Sequence, residues 1–134
     1  MVTRTSLFGK FITHNAGRQL GEGFPRESNA IIEYLIGKYD KEHKISIPEN
    51  DDQKYIQTQW LFFQASGQGP YFGQASWFLF YHEEKVPSAI DRYRKEVRRV
   101  LGVLESVLSK QDWLVGGRPT VADLSFILYV PSDT

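Results

Sequence analysis

The chain has 134 residues and a mass of 15.5 kDa, the size of one ordinary domain that removes about two-thirds of its surface from water on folding. Sixteen basic residues balance sixteen acidic ones, which excludes a global field that draws the chain to nucleic acid or to an anionic membrane. The 41% apolar content excludes a disordered class. Without cysteine, the chain has no disulfide, thiolate nucleophile or Cys-ligated metal site, and it suits a reducing compartment such as the cytoplasm.

The first 26 residues form an unassigned leader. Residues 1–21 contain three basic residues and no acidic one, and their single apolar patch is too interrupted for a secretory signal. Their composition has a mild likeness to a mitochondrial presequence, whereas the glycines and Pro25 favour an irregular segment. Phe8–Thr13 is a faint strand candidate, and we expect the chain to be mainly α-helical.

The first predicted helix runs from Asn29 to Tyr39. Apolar residues recur there with helical spacing, among them Ile31 and Leu35, and this predicts a short, buried helix. Residues 41–50 contain Pro48 and no period, so we expect them to link this helix to the next one.

A long uncharged stretch from Tyr55 to His82 follows. Its five glutamines, three glycines and a proline are unfavourable in a hydrocarbon layer, so we expect no membrane span. The apolar spacing instead predicts a buried helix that is interrupted by Gly67–Pro70 and kinked by Pro70. We expect its core face to carry Ile56, Trp60, Phe63, Phe72, Ala75, Phe78 and Leu79.

The clearest helical pattern begins at Pro87. One stripe of the predicted helix is apolar and comprises Ile90, Tyr93, Val97, Val100, Leu101, Leu104 and Leu108. The basic cluster from Arg92 to Arg99 could bind phosphate, but interleaved acids and the lack of an aromatic platform favour a solvated helix face.

Glu27 and Ser28 lie where the first predicted helix begins. The first amides of a helix lack intrahelical acceptors and its dipole favours an anion there, so Ser28 suits a carboxylate ligand. Glu27 can pair with an ammonium group, and the two residues together could hold an α-amino acid. Taken alone, the pair is more typical of a capping serine with an acidic residue that complements the dipole.

Thr120 and Asp123 have the spacing of a capping box at the start of a last helix. We expect Leu124, Ile127 and Leu128 to bury that helix and Pro131 to end it. A catalytic Asp123 is the alternative, but no His or Ser lies at a useful spacing. The three histidines are scattered, so no metal site is expected, and the usual phosphate-loop, dinucleotide and nucleophile-elbow motifs are absent from the sequence.

Four motifs in this order resemble the glutathione S-transferase family, most closely its fungal nitrogen-regulator branch. They are Glu27–Leu35, Trp60–Gly67 with Gly73–Gln74, Trp113–Gly116, and Pro119–Phe126. The resemblance covers about three-quarters of the chain. It implies a thioredoxin-like glutathione-binding domain followed by an all-helical domain, in a subunit that pairs as a homodimer.

The resemblance also implies an assignment of domains and site residues. Residues 27–47 correspond to a remnant of the thioredoxin-like domain with its linker, and residues 48–134 to part of the helical domain. By the family's acid–serine motif, Glu27 and Ser28 are implied to hold the γ-glutamyl end of glutathione. Trp60, Phe63 and Tyr71 correspond to the wall of the hydrophobic substrate pocket, with a purely structural core as the alternative. No cofactor is implied, because glutathione is a co-substrate.

The sequence departs from the family pattern at both ends. Only 26 residues precede Glu27, none reproduces the family's thiol-activating or cis-proline motif, and the chain ends soon after Pro131, so both ends are expected to be truncated. Conjugation requires a donor that lowers the thiol pKa, and none is identifiable, so catalytic residues stay unassigned. Three hypotheses follow: a transferase acting on hydrophobic electrophiles, a non-catalytic interaction or regulatory module, and an inactive family fragment.

Overall fold

The computed structural model describes residues 25–127. The described chain falls into two compact units, with the boundary between Ser46 and Ile47. The expected mainly α-helical class is confirmed, because no strand occurs within the described range. Most of the unassigned leader, the faint strand at Phe8–Thr13, and the predicted helix end at Leu128 and Pro131 lie outside the described residues.

The first unit contains helix α1, Ser28–Tyr39. Lys38 in its last turn complements the negative end of the helix dipole, and the amide of Asp40 donates to the Ile36 carbonyl at 2.9 Å. The expectation of a buried helix holds for only one side of α1. Ile31 and Ile36 are buried, but Leu35 is 41% exposed, because a single apolar stripe covers only one side of the helix.

The Asp40 side chain organises the loop after α1. Its two carboxylate oxygens accept hydrogen bonds from the amides of Lys44 and Ile45 at 2.8 and 3.0 Å, and from the Ser46 hydroxyl at 2.8 Å. His43 Nδ1 lies 3.1 Å from the same hydroxyl. Residues 41–50 contain no helix, as the sequence predicts.

The uncharged stretch is helical throughout, but its interruption is a change of helix type. Helix α2, Gln53–Phe63, passes into a π-helical turn, Gln64–Gln68, and then into α3, Gly69–Ser76. A second π-helical turn, Trp77–Tyr81, ends the stretch. Pro70 lies in the first turn of α3, directly after the π-helical turn, so the interruption predicted at Gly67–Pro70 coincides with this change of helix type. The kink at Pro70 stays a prediction.

Buried glutamines explain the first π-helical turn. The Gln64 side-chain amide donates to Gln68 Oε1 at 3.4 Å, and the Gln68 amide donates to the Phe126 carbonyl at 3.1 Å. Both side chains are buried. One extra residue in the turn directs both amides into the interior, toward a partner 58 positions along the chain.

Helix α4, Pro87–Leu108, begins at the predicted proline. Only Val100 of the predicted stripe is buried, while Leu101 and Leu108 are 41% and 42% exposed. Leu104 of the predicted stripe packs against the core, as do Val103 and Val107, which the predicted stripe omitted. The core-facing side of α4 therefore overlaps the predicted stripe at Val100 and Leu104 but does not include Leu101 and Leu108.

Helix α5, Val121–Phe126, completes the second unit. Its buried residues are Val121, Ala122, Ser125 and Phe126. The prediction that Leu124 and Ile127 are buried is wrong, since they are 43% and 64% exposed. In so short a helix, Ala122 and Phe126 at a spacing of four residues define the inner side, and the other two lie off it.

The core of the second unit surrounds Trp60. Its buried members are Ile47, Trp60, Leu114, Val115, Ala122 and Phe126. The indole ring meets Phe63 and Phe126 edge-on, with ring centroids 5.8 and 6.1 Å away. Two predicted core residues behave differently: Ile56 is 43% exposed, whereas Phe63 is partly buried against the cluster.

Candidate functional site

Glu27 immediately precedes α1 and has an unusual backbone conformation. Its φ of 73° and ψ of 130° lie outside the regions that non-glycine residues favour. A conformation of this kind costs about 1–3 kcal/mol and occurs at ligand-binding sites more often than elsewhere. The strain turns the chain sharply into the first turn of α1.

Glu27 is the residue that precedes α1, and Ser28 is the first residue of the helix. The first intrahelical hydrogen bond runs from the Ile31 amide to the Glu27 carbonyl at 3.0 Å. Ser28 is therefore not the capping residue that the simpler interpretation assumed, and Glu27 makes no side-chain capping bond. Both side chains are exposed.

The Glu27 carboxylate and the Ser28 hydroxyl have no hydrogen-bonding partner among the described residues. The Ser28 hydroxyl and the first amides of α1 lie at the positive end of a 12-residue helix dipole, beside the exposed Glu27 carboxylate. Such a set can accept a zwitterionic headgroup with its carboxylate over the helix end and its ammonium group on Glu27.

The three aromatic residues assigned to a substrate pocket lie in different environments. Trp60 is 6% exposed and lies in the core with Phe63. Tyr71 is half-buried, and its ring lies 6.5 Å from that of Tyr93 and 6.0 Å from the Arg99 guanidinium. The pocket-lining role stays a prediction, and for Trp60 the packing favours the structural alternative.

Thr120 and Asp123 form a reciprocal capping box at α5. Asp123 Oδ2 accepts hydrogen bonds from the Thr120 amide at 2.9 Å and from its hydroxyl at 3.0 Å, while Thr120 Oγ1 accepts from the Ala122 amide at 3.3 Å. The second Asp123 oxygen accepts from the Leu114 amide at 2.8 Å. These bonds engage both carboxylate oxygens in structure, which accounts for Asp123 without catalysis.

Two further observations bear on the kind of site. Within residues 25–127, no cluster of three histidine and acidic side chains has the arrangement of a metal centre. In the same range, no helix is both long enough and apolar enough to cross a membrane. His14, one of the three histidines, lies outside the described residues.

Comparison with known proteins now identifies the fold. Residues 69–130 match the family model "Glutathione S-transferase, C-terminal domain". Over 109 residues the chain is 58% identical to the glutathione S-transferase-like protein tpcF of Aspergillus fumigatus, an alignment covering 75% of this chain and 48% of that protein. Residues 69–130 therefore carry a glutathione S-transferase C-terminal domain, and the chain resembles glutathione S-transferase-like proteins of fungi. It spans about half the length of the curated relatives it matches.

Solved structures of fungal relatives agree with this assignment. The glutathione transferase URE2P6 of Phanerochaete chrysosporium, solved in complex with oxidised glutathione, is 65% identical, with a TM-score of 0.76 over 78% of this chain and 48% of that one. Ure2p5 of the same fungus was cocrystallised with 1-(S-glutathionyl)-2,4-dinitrobenzene. It is 46% identical, with a TM-score of 0.76 over 96% of this chain and 61% of that one.

In this glutathione S-transferase-like chain, the sequence singled out Glu27 and Ser28, and the structure adds the strained backbone that separates their roles. No local signal indicated that conformation, because glycine is the residue normally expected at a positive φ. The resemblance in sequence to the fungal nitrogen-regulator branch is confirmed by the similarity to Ure2p-type transferases.

Proposed function

We propose that this chain binds glutathione by its γ-glutamyl end at the N-terminus of α1. The α-carboxylate accepts hydrogen bonds from the first amides of α1 and from the Ser28 hydroxyl. The α-ammonium group pairs with the Glu27 carboxylate. Hydrogen bonds of this kind, in which one partner is ionised, are about twice as strong as neutral ones. Together, the two contacts recognise both the carboxylate and the ammonium group of an amino acid.

The conformation of Glu27 is the observation that carries this proposal. A folded chain keeps a non-glycine residue at φ 73° only where other interactions outweigh the strain. Neither side chain of the pair is engaged in holding the described structure together. A strained backbone beside side chains that are not used to hold the fold together is typical of a preorganised ligand site. The glutathione complexes of related transferases support glutathione as the ligand.

We further propose that the family reaction, addition of the glutathione thiol to a hydrophobic electrophile, needs a thiol-activating group from beyond residues 25–127. A free thiol with a pKa near 8.5 is only a few per cent thiolate at neutral pH, so the reaction requires a donor or dipole at the sulfur. The described residues present no side chain that we can assign to this task. The sequence of residues 1–24 and 128–134 presents no identifiable thiol-activating motif either, so we expect the chain alone to bind glutathione without independent turnover.

The domain assignment and the substrate pocket belong to the same proposal. The boundary between the two units, at Ser46 and Ile47, supports a thioredoxin-like remnant over residues 27–47 and a partial helical domain from residue 48. Phe63 and Tyr71 keep exposed surface and are the better candidates to contact an electrophile. Trp60 would support that wall from the core.

We also propose that the chain forms a homodimer in the cytoplasm. Exposed aromatic side chains support self-association, since Phe62, Trp77 and Phe80 are 71%, 51% and 75% exposed. The absence of cysteine supports a reducing compartment. Light scattering after size exclusion gives the oligomeric state, and a fluorescent fusion distinguishes cytoplasm from mitochondria.

Calorimetric titration with glutathione tests the proposed site. We expect Glu27→Gln and Ser28→Ala each to weaken binding about 10- to 150-fold, the loss of one hydrogen bond to a charged group. Glu42→Gln is the matched control, because this exposed acid in the same unit pairs only with Lys44 among the described residues. Cysteinylglycine, which lacks the γ-glutamyl end, should bind far more weakly than glutathione.

Two results would contradict the proposal. One is equal binding of glutathione and cysteinylglycine, and the other is unchanged affinity in both variants. Conjugation of a generic aromatic halide is measured separately. Turnover by the chain alone would remove the claim about the missing activating group and leave the binding site intact.

A further inference from the structure

A cavity lies in the second unit, between the first turns of α2 and the loop that precedes α5. Its volume is about 470 Å³, within the range of pockets that hold small molecules. Gln53 and Ile56 line it from α2, and residues 111–117 line it from the loop. Neither Glu27 nor Ser28 is among the lining residues, so this site is independent of the proposed glutathione site.

Hydrogen bonds from three side chains hold the loop that forms the cavity wall, and two of these side chains, Gln53 and Gln111, also line the cavity. Gln53 Oε1 accepts the Gly116 amide at 3.0 Å, and the Gln111 side-chain amide donates to the Leu114 carbonyl at 3.2 Å. Asp123 accepts the Leu114 amide from the other side. One hydrogen bond from α2, one from α5 and one within the loop thus hold the wall of the cavity in place.

The cavity combines apolar surface with one negative charge. The apolar surface comes in part from Ile56 and Trp113, which are 43% and 37% exposed. The carboxylate of Asp112 is exposed and has no partner among the described residues. None of the lining residues is basic, and Arg118, which follows the loop, does not line the cavity.

We propose that this cavity binds a small organic ammonium ion with an aromatic or alkyl body. The ammonium group pairs with Asp112 and is further attracted to the electron-rich face of an indole such as that of Trp113. The body of the ligand covers Ile56 and the indole and removes their apolar surface from water. Anionic ligands, glutathione included, are disfavoured because the only charge on the cavity wall is negative.

The charge pairing is solvent-exposed, so its contribution is small and the affinity is expected in the millimolar range.

Benzylamine is the probe, and its neutral analogue benzyl alcohol has almost the same shape. Titration of the ¹⁵N-labelled full chain by NMR follows the Trp113 indole N–H, which Trp113→Phe assigns by removing it, together with the amides of Val115, Gly116 and Gly117.

We expect benzylamine to shift these signals with saturation, and Asp112→Asn to weaken binding about 3- to 5-fold. Glu105→Gln, which removes an exposed acid from α4 outside the cavity lining, should leave the affinity unchanged. Benzyl alcohol should bind the original chain at least about 3-fold more weakly, and this comparison needs no variant to fold.

Three results would overturn the inference. They are the absence of saturable shifts at about 10 mM benzylamine, equal binding of benzyl alcohol, and a folded Asp112→Asn variant with unchanged affinity. None of them bears on glutathione binding, which is measured at other residues.

Discussion

The carboxylate of Asp123 holds the amide of Leu114, nine residues earlier, at 2.8 Å while its other oxygen caps α5. One side chain therefore fixes both the start of a helix and the loop that packs beneath it. Leu114 is buried in the core beside Val115, so the loop carries part of the hydrophobic interior of the second unit and cannot shift without exposing it.

We predict that Asp123→Ala lowers the free energy of unfolding by about 2–4 kcal/mol. The estimate combines the loss of a helix cap, about 1 kcal/mol, with the cost of a partly buried amide left without an acceptor. Asp91→Ala is the control, because that residue forms an exposed pair with Lys95 one turn away and should cost at most about 0.5 kcal/mol. Urea denaturation compares the two, and equal losses would contradict the role given to Asp123.

Gly116 is required both for its backbone and for its lack of a side chain. It has a φ of 75°, and a β-carbon there would lie 2.7 Å from Ile47 Cδ1. We predict that Gly116→Ala destabilises the chain by about 2–4 kcal/mol, from the positive φ together with overpacking. Gly117→Ala, with a φ of 63° and open space around it, should cost only the backbone part, about 1–2 kcal/mol.

A double substitution separates these two causes. Ile47→Val removes the Cδ1 atom that the new β-carbon would meet. In that background, the penalty of Gly116→Ala in thermal or urea denaturation should fall toward that of Gly117→Ala. An unchanged penalty would show that the close contact is irrelevant and that the backbone alone accounts for the loss.

The loop after α1 should lose stability in acid. Burial raises the pKa of the Asp40 carboxyl, but hydrogen bonds from the Ile45 amide, the Ser46 hydroxyl and the Lys44 amide, together with the charge of His43, outweigh it and lower the pKa below its usual value. A carboxyl whose folded pKa is depressed stabilises the fold fully above its unfolded pKa, about 3.9, and loses that contribution as the pH falls through the folded value.

We therefore predict that hydrogen-exchange protection of the Lys44 and Ile45 amides declines as the pH is lowered from about 5 to 2, after correction for the intrinsic exchange rate. Asp40→Asn should have lower protection than the original chain at pH 5 and a flatter pH profile. Glu83→Gln, an exposed acid of the second unit, is the control and should leave the profile of these amides unchanged. Parallel profiles for Asp40→Asn and the original chain would contradict the prediction.

Local sequence signals identified the helix starts that are determined by neighbouring residues. Pro87 marked the start of α4, and the spacing of Thr120 and Asp123 marked the start of α5 with its capping box. In each case the residues that determine the element lie within one turn of it. A pattern in the sequence is then sufficient, because no distant partner has to be known.

Features with distant causes were beyond such reasoning. The π-helical turn depends on Gln68 reaching the Phe126 carbonyl, and Gln57, which is fully buried, accepts the Ile47 amide at 2.9 Å. Glutamine is ordinarily a surface residue, so the sequence alone does not indicate that these side chains are buried. The spacing of apolar residues also indicates which side of a helix faces the core, but not how many residues on that side are buried. For this reason Leu124, which is exposed, was assigned to the core.

The strain at Glu27 leads to a prediction in which the stability of the helix start increases while the affinity for glutathione decreases. Glu27→Gly should release the positive-φ strain, about 1–3 kcal/mol, against an entropic cost of about 0.5–1 kcal/mol. The helix start should therefore become more stable. Glu27→Ala keeps the strain and removes the same carboxylate, so both variants should lose glutathione affinity, while only the glycine variant gains protection of the Ile31 and Ile36 amides against hydrogen exchange. If the two variants protect these amides equally, or the alanine variant protects them better, the backbone of Glu27 is not strained in solution. The affinity loss common to both would then report only on its carboxylate.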